Sequence, residues 1–210
     1  MDDTMNRIGI MGGTFNPIHN GHLYLAKEAC KQFALGQILF IPSGTPYMKD
    51  LNEVLPGKLR AAMTTLAIQD YPQFSMSTME IEKKGNTYTY ETLETLGGIY
   101  QGAELFFILG ADSLFAIEDW RCPERIFLSC RILAAIRNDI STEKIEEQAS
   151  YLRQKFDADI LIMQTDVIDI SSSLIRERIQ EGRSVKGLIP DIVYDYIFEH
   201  ELYHANAGTR

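Results

Sequence analysis

The sequence contains few cysteines, and none has a spacing that indicates a metal site. The three are Cys30, Cys122 and Cys130, with no CxxC pair and no histidine at metal-ligand spacing. Three cysteines cannot pair completely, and the simplest interpretation is that they remain reduced thiols. We therefore expect a reducing compartment and no protein metal site.

Long apolar segments and an excess of positive charge are also missing. No stretch reaches the roughly 18 apolar residues that a membrane-spanning helix requires. The first five residues carry aspartates where a secretory signal has basic residues. Acidic residues number 29 against 20 basic ones, whereas nucleic-acid-binding proteins usually present a basic face. We therefore expect a cytoplasmic protein that binds neither a membrane nor a nucleic acid.

The sequence does contain short apolar runs that alternate with stretches of helical period. Strands are predicted at residues 7–11, 38–41, 105–109, 132–136 and 160–163. Helices are predicted at residues 20–33, 58–69, 142–155, 173–181 and 191–200. This alternation predicts an α/β fold with a doubly wound, Rossmann-like parallel sheet. We expect residues 1–210 to form one domain, with residues 1–5 and 205–210 frayed.

Two segments are harder to assign from their pattern. Residues 74–81 are expected to be extended, and residues 90–96 are expected to form a short helix closed by Gly97 and Gly98. Ligands of such sheets bind beyond the carboxyl ends of the strands. A binding site is therefore expected in the segments that follow predicted strands.

The segment over residues 12–22 follows the first strand and opens the first helix. Gly12 and Gly13 allow the backbone to approach a ligand closely, and a helix start offers N–H groups and partial positive charge to phosphate. His19 and His22 project from one side of the same turn. A capped helix start with two surface histidines is the alternative. Together with Thr14 and the preceding strand, the segment favours phosphate binding, although it is neither a GxxxxGK[ST] nor a GxGxxG motif.

A second candidate phosphate site follows the last strand, at residues 170–176. Ser172 and Ser173 can cap the next helix and donate hydrogen bonds to an anion. Arg176 is expected in the first turn, at the capping-box position, where a lone cation costs about 0.3–1 kcal/mol against the helix dipole. An arginine there suggests an anion in front of it. A serine cap with a solvated arginine is the alternative.

Both segments resemble signatures of the nucleotidyltransferase superfamily, and specifically those of the nicotinate-nucleotide adenylyltransferases. Residues 12–22, GGTFNPIHNGH, are similar to the GGTF-D-PIHxGH pattern, and residues 170–176, ISSSLIR, are similar to ISSTxIR. The resemblance covers essentially the full length and implies an HxGH-type nucleotidyltransferase fold. Asn16 departs from the usual aspartate, which puts in doubt any role of that carboxylate near a metal.

The region between the signatures also resembles the nicotinate-nucleotide branch. The resemblance implies that Asp112, after Gly110, binds a ribose hydroxyl and that the ring of Trp120 stacks on a pyridine. The substrate-binding residues it implies are Thr87, Tyr88 and Trp120. Arg137 is a further candidate, because it ends a predicted strand and can reach the same phosphate-rich face. Helix caps, a buried tyrosine and a surface arginine are the alternatives for these positions. In the loop at residues 46–49, Met48 replaces the family's usual histidine, and Lys49 remains as a candidate phosphate contact.

The resemblance implies transfer of AMP from ATP to nicotinate mononucleotide, which gives deamido-NAD and pyrophosphate. It gives the catalytic contacts to His19, His22, Arg176 and Lys49. The nucleotide-binding residues that it implies are Gly12, Gly13, Thr14, Phe15, Gly110, Asp112, Ile170, Ser172 and Ser173. Mg²⁺ is expected to be carried by the ATP phosphates.

Several alternatives stay open. The acceptor could be nicotinamide mononucleotide or 4′-phosphopantetheine, although the phosphopantetheine enzyme lacks the TYT and tryptophan elements. A carboxylate bound by backbone N–H groups leaves no trace in side-chain identity, so nicotinate and nicotinamide are hard to tell apart. A nucleotide-sensing module that binds ATP without turnover is the alternative from another class. Association into a homo-oligomer is also left open.

Overall fold

The structure is a computed structural model, and it describes residues 6–45, 54–136, 142–166 and 170–204. Two candidate site residues, Lys49 and Arg137, lie outside the described residues, as does Met48. The chain ends that were expected to be frayed, residues 1–5 and 205–210, lie outside them as well.

Strands and helices alternate along the described chain. The strands are β1 (Arg7–Gly13), β2 (Gln37–Pro42), β3 (Phe74–Met76), β4 (Glu104–Gly110), β5 (Arg131–Ala135) and β6 (Ile160–Met163). The helices are α1 (Asn20–Phe33), α2 (Gly57–Ile68), α3 (Met79–Glu82), α4 (Thr89–Ile99), α5 (Ala111–Ala116), α6 (Pro123–Ser129), α7 (Thr142–Phe156), α8 (Ser172–Gln180) and α9 (Asp191–Glu199), with a 3₁₀ turn at Ile117–Asp119. None of the described helices combines the length and apolar character needed to cross a bilayer.

The six strands of the described chain form one parallel sheet in the order β3-β2-β1-β4-β5-β6. This arrangement confirms the prediction of an α/β, Rossmann-like doubly wound fold. The order of the strands reverses between β1 and β4, and a crevice opens beyond the carboxyl ends of neighbouring strands at such a point. The sheet therefore fixes where a ligand can enter.

Alternate residues of each strand pack into separate cores on the two faces of the sheet. In β4, Phe106 and Ile108 contact one core, whereas Leu105, Phe107 and Leu109 contact the other. The first core is covered by α1, α2, α8 and α9, and the second by α4, α5, α6 and α7. Because both faces are covered, the central strands are apolar throughout, which explains why continuous apolar runs predicted them.

The expectation that residues 74–81 are extended is confirmed for residues 74–76 and wrong for the residues that form α3. β3 ends at Met76, which pairs with Phe40, and α3 follows. β2 reaches Pro42 two residues further on, and proline has no N–H with which to continue the ladder. The edge strand β3 therefore ends at Met76, and α3 begins at Met79.

The expectation that Gly97 and Gly98 close a helix was also wrong, since α4 continues through them to Ile99. A glycine ends a helix where the backbone becomes left-handed, and the first glycine beyond α4 with positive φ is Gly102, at 81°. The short helices α5 and α6 were not predicted, because each has fewer than eight residues and too little periodicity for its detection.

Replacing Gly9 with alanine should destabilise the fold by about 1–3 kcal/mol, because overpacking a filled core strains its neighbours. A Cβ at this position in β1 would lie 2.4 Å from Ile38 Cδ1 and 2.9 Å from Leu35 Cδ1. Gly97→Ala is the matched control: its Cβ meets nothing within 4 Å, and alanine favours a helix by roughly 0.5–1 kcal/mol over glycine. The free energy of unfolding in urea measures both, and equal stability of Gly9→Ala and the wild type would contradict this packing.

Candidate active site

A cleft of about 580 Å³ opens at the carboxyl end of the sheet. It lies where the strand order reverses, since its walls include the ends of both β1 and β4. The structure brings together in its lining the following candidate residues from the sequence: Gly12, Gly13, Thr14, His19, His22, Thr87, Gly110, Trp120, Ile170 and Ser172. Segments that are far apart in the chain therefore face one cavity.

Five other candidates do not line this cleft. Phe15 is 2% exposed and packs beneath the loop, while Ser173 and Asp112 are exposed at the starts of α8 and α5. Tyr88 borders a second depression that also includes Trp120. The guanidinium of Arg176 contacts the loop after β1 at the carbonyl of Asn16.

The two histidines form a stacked pair at the start of α1. His19 is the N-cap of this helix, and its ring centroid lies 3.7 Å from that of His22. Phe15 packs edge-on against the other side of the His22 ring, with 5.0 Å between the ring centroids. Phe15 therefore holds the second histidine in place from the core side.

A hydrogen bond fixes the chemical state of the His22 ring. The backbone N–H of His19 donates to Nδ1 of His22 over 3.2 Å. A nitrogen that accepts a hydrogen bond carries no proton, so the neutral ring must carry its proton on Nε2. His22 therefore presents a hydrogen-bond donor, which suits a phosphate oxygen.

The start of α8 is tied to the loop after β1. Ser171 is the N-cap and accepts the backbone N–H of Leu174 over 3.1 Å. The Ser172 hydroxyl donates to the Pro17 carbonyl over 2.8 Å. Two helix starts, each with N–H groups and partial positive charge, therefore meet at one cleft.

Arg176 does not lie in the first turn of α8, and that expectation was wrong. The helix begins one residue earlier than predicted, at Ser172, so Arg176 is its fifth residue and Leu174 takes the capping-box position. The side chain extends instead to the same loop, where Nη1 donates to the Asn16 carbonyl over 3.0 Å. The position of Arg176 is thus set by tertiary contact.

Asn16 is a buried link and does not cap α1. Its side chain is 3% exposed, and its Oδ1 accepts the backbone N–H of Leu55 over 3.2 Å and the hydroxyl of Tyr203 over 2.9 Å. Burial raises the pKa of Tyr203, with Arg176 and Arg60 acting in the opposite direction. Tyr203 therefore keeps its proton and remains a donor at neutral pH.

The other end of the cleft is formed by the start of α4 and the turn before α6. Thr87 and Thr89 line it. Trp120 lines it as well and packs edge-on against Phe107, with 6.3 Å between the ring centroids. An aromatic face and a helix start therefore border the same space.

Some residues that line the cleft were not predicted from the sequence. Ser43 lines it directly after β2, and its place at a strand end was a usable signal. Tyr24 and Asp166 also line it, and the Tyr24 hydroxyl accepts the backbone N–H of Asp166 over 2.8 Å. That contact joins α1 to the segment after β6, and no local pattern could have shown it.

The donor set does not form a protein metal cage. Within the described ranges, no three histidine, cysteine, aspartate or glutamate side chains are grouped closely enough to hold a metal ion. The Asn16 side-chain oxygen is already occupied by two donors. A metal ion in the cleft would thus take most of its ligands from the phosphates of a bound nucleotide.

Comparison with known proteins gives a family from the sequence and a shared fold from solved structures. A family model described as cytidylyltransferase-like matches residues 10–178. A relative from Lachnoclostridium phytofermentans, named probable nicotinate-nucleotide adenylyltransferase, is 41% identical over 95% of this chain and 100% of its own. Plasmodium falciparum nicotinic acid mononucleotide adenylyltransferase shares the fold. Its complex with NaAD has a TM-score of 0.77 at 21% identity, and its complex with APC has 0.74 at 20%; each match covers 94% of this chain and 97% of the other.

Proposed function

Because this chain belongs to the cytidylyltransferase-like family and, within it, to the nicotinate-nucleotide adenylyltransferases, we propose that its cleft joins AMP from ATP to nicotinate mononucleotide. The chain is a nucleotidyltransferase of NAD biosynthesis. The observation that carries the proposal for the site is the meeting of the α1 and α8 starts. Ser172 and Arg176 both donate to the loop that also holds the two stacked histidines.

The reaction needs no nucleophile from the protein. An oxygen of the nicotinate mononucleotide phosphate attacks the α-phosphorus of ATP, the bond from that phosphorus to the β-phosphate oxygen breaks, and pyrophosphate leaves. The acceptor phosphate is already ionised near neutral pH. Burial raises the pKa of the Cys30 thiol to about 11 and that of Cys130 to about 12, so neither supplies a thiolate. Catalysis rests on positioning and on neutralising the charge of the leaving group.

We assign the ATP phosphates to the two helix starts. Nε2–H of His22 donates to a phosphate oxygen, and the stacked His19 lies beside it at the same helix start. Arg176 and Ser172 hold the far end of the triphosphate, and Lys49 assists from its loop. The backbone of residues 12–15 lies along the α-phosphate, with Ser173 and Ile170 flanking the second helix start. Asp112, in the first turn of α5, binds a ribose hydroxyl.

We place the pyridine ring between Trp120 and the start of α4. Nicotinate differs from nicotinamide by a carboxylate, and the N–H groups and partial positive charge of a helix start favour that anion over a neutral amide. Thr87 and Tyr88 directly precede α4, and Thr89 opens it and lines the cleft. Arg137, which follows β5, is assigned to the acceptor phosphate.

We propose that Mg²⁺ binds as its complex with ATP. When bound, it neutralises charge on the phosphate oxygens, which are its main ligands. The residues of this chain bind and orient the nucleotide around it. We further propose that the enzyme works in the cytoplasm on two small molecules, ATP and nicotinate mononucleotide, with its three thiols unpaired.

A panel of acceptors tests the function. Purified protein is mixed with ATP, Mg²⁺ and one of nicotinate mononucleotide, nicotinamide mononucleotide or 4′-phosphopantetheine, and both pyrophosphate and the condensed product are measured. We expect kcat/KM to be highest for nicotinate mononucleotide. ATP binding without product from any acceptor would instead identify a nucleotide sensor, and a preference for another acceptor would overturn the assignment of the pyridine end.

Replacing Trp120 with alanine should raise KM for nicotinate mononucleotide by about 2- to 13-fold, because ring stacking adds roughly 0.5–1.5 kcal/mol beyond burial. KM for ATP should stay the same, since the triphosphate lies at the other end of the cleft. Trp120→Phe keeps an aromatic face and serves as the matched control. Steady-state kinetics with each substrate varied in turn separates the two constants. An increase confined to KM for ATP would exclude the tryptophan from the pyridine site.

A further inference from the structure

Arg60 is a charged residue buried in an apolar helix, and the proposed chemistry does not use it. It lies in the first turn of α2, is 2% exposed, and is not among the residues that line the cleft. Burial lowers the pKa of its guanidinium, while Tyr203 and Glu80 act in the opposite direction. Burying a charge in this way is costly unless its donors are satisfied, so its partners explain its presence.

The guanidinium donates to backbone carbonyls from three separate segments. Nη1 donates to the carbonyl of Thr14 over 2.7 Å, and Nη2 donates to those of Ser43 over 2.6 Å and Gly44 over 3.1 Å. Nε donates to the carbonyl of Leu55 over 2.9 Å. Four of the five N–H groups of the side chain are therefore engaged, which leaves Arg60 poorly suited to bind a phosphate itself.

The segments that Arg60 joins form two walls of the cleft. Thr14 follows β1, Ser43 follows β2, and both line the cavity. In a trans peptide the C=O and N–H bonds point in opposite directions. Because the carbonyls of Thr14 and Ser43 point at the guanidinium, the N–H groups of Phe15 and Gly44 point away from it. One buried cation thus sets the orientation of peptide groups in both loops.

We propose that Arg60 is a positioning residue of the adenylyl-transfer site, which holds the loops after β1 and β2 in the orientation that receives the nucleotide phosphates. The expected effect on adenylyl transfer rests on the proposed function. The expected orientation of the two loops does not. Lysine at this position would keep the charge and lose the fork of donors, because an ammonium group cannot reach four carbonyls from a planar arrangement.

Arg60→Lys is therefore the variant to test, with Arg7→Lys as its matched control. Arg7 also donates to a backbone carbonyl, that of Phe33, but it lies at the amino end of β1 and pairs with Glu104. We expect Arg60→Lys to lower kcat/KM for ATP by on the order of 100-fold per folded molecule, as misplaced phosphate contacts do. Circular dichroism gives the folded fraction, and Arg7→Lys should keep wild-type kinetics.

A merely structural role predicts a different result. Activity would then fall only in proportion to the unfolded fraction, and KM for ATP would stay at the wild-type value; that outcome would overturn the proposal. The dissociation constant of α,β-methylene-ATP supplies a readout without turnover, and we expect it to rise at least tenfold in Arg60→Lys. If the wild type binds this analogue but forms no product with any acceptor, the proposed function fails while the role of Arg60 is still decided by binding.

Amide hydrogen exchange of the wild type covers the case in which Arg60→Lys does not fold. Addition of α,β-methylene-ATP should slow exchange at the amides of Phe15 and Gly44. Absence of protection at both amides would overturn the proposal, since Arg60 would then orient peptide groups that do not face the nucleotide.

Discussion

Replacing His22 with asparagine should lower kcat by about 100- to 1,000-fold while the fold stays intact. The loss corresponds to roughly 2.7–4 kcal/mol of barrier, which is typical of removing one donor that stabilises charge in the transition state. Asparagine is chosen because its Oδ1 lies near the position of Nδ1 of the ring and can still accept the backbone N–H of His19. The helix start is thereby kept, and only the Nε2–H donor is lost.

Two further variants separate the chemistry of His22 from its packing. Glutamine places an N–H at the ε position, so His22→Gln should recover part of the lost turnover. His200 lies at the end of α9, is exposed, and is not among the cleft residues, so His200→Ala should show wild-type kinetics. Pyrophosphate release under saturating substrates measures kcat. Turnover of His22→Asn close to that of the wild type would remove this histidine from the chemistry.

Replacing Arg176 with alanine should lower kcat/KM for ATP by on the order of 100-fold or more, for two reasons that act together. The variant loses a positive charge beside the loop that we assign to the triphosphate, and it loses the hydrogen bond to the Asn16 carbonyl that ties α8 to the loop after β1. Arg176→Lys should fall between alanine and the wild type, since lysine keeps the charge but lacks the planar fork.

Arg183 supplies the matched control for Arg176. It is exposed just beyond α8 and pairs only at the surface, with Glu177 and Glu181, and surface ion pairs contribute about 0–1 kcal/mol. Arg183→Ala should therefore leave both kcat and KM at their wild-type values. Equal effects of the two alanine variants would indicate that Arg176 acts through general charge and not through its contact with the loop after β1.

The sheet was predictable from the sequence because the physical signal is local. Each central strand is covered on both faces, so runs such as residues 105–109 are apolar at every position and stand out from the amphipathic helices. The bounds of α1 were predicted correctly because its apolar residues recur with helical period, and those of β6 because its four residues are all apolar. β3 was overextended because its end depends on what β2 can offer as a partner, which its own residues do not encode.

The candidate site was predictable only in part. As with the sheet, residues with a local signal were found and residues that act through distant contacts were not. The loop after β1 and the serines at the start of α8 stood out because glycine, histidine and serine at helix starts have a direct chemical meaning. Arg60 gave no signal, since its role lies in bonds to carbonyls from three segments. The buried link at Asn16 was missed for a similar reason: its hydroxyl donor, Tyr203, is 187 positions away along the chain.

That separation has a consequence for the order in which the molecule is completed during synthesis. Tyr203 is added to the chain 187 residues after Asn16, about 10–40 s later at 5–20 residues per second. Until Tyr203 has been made, the loop after β1 lacks the hydroxyl that donates to Asn16, even when β1 and β2 are already paired. The loop after β1 therefore gains this anchor well after its own residues have been made.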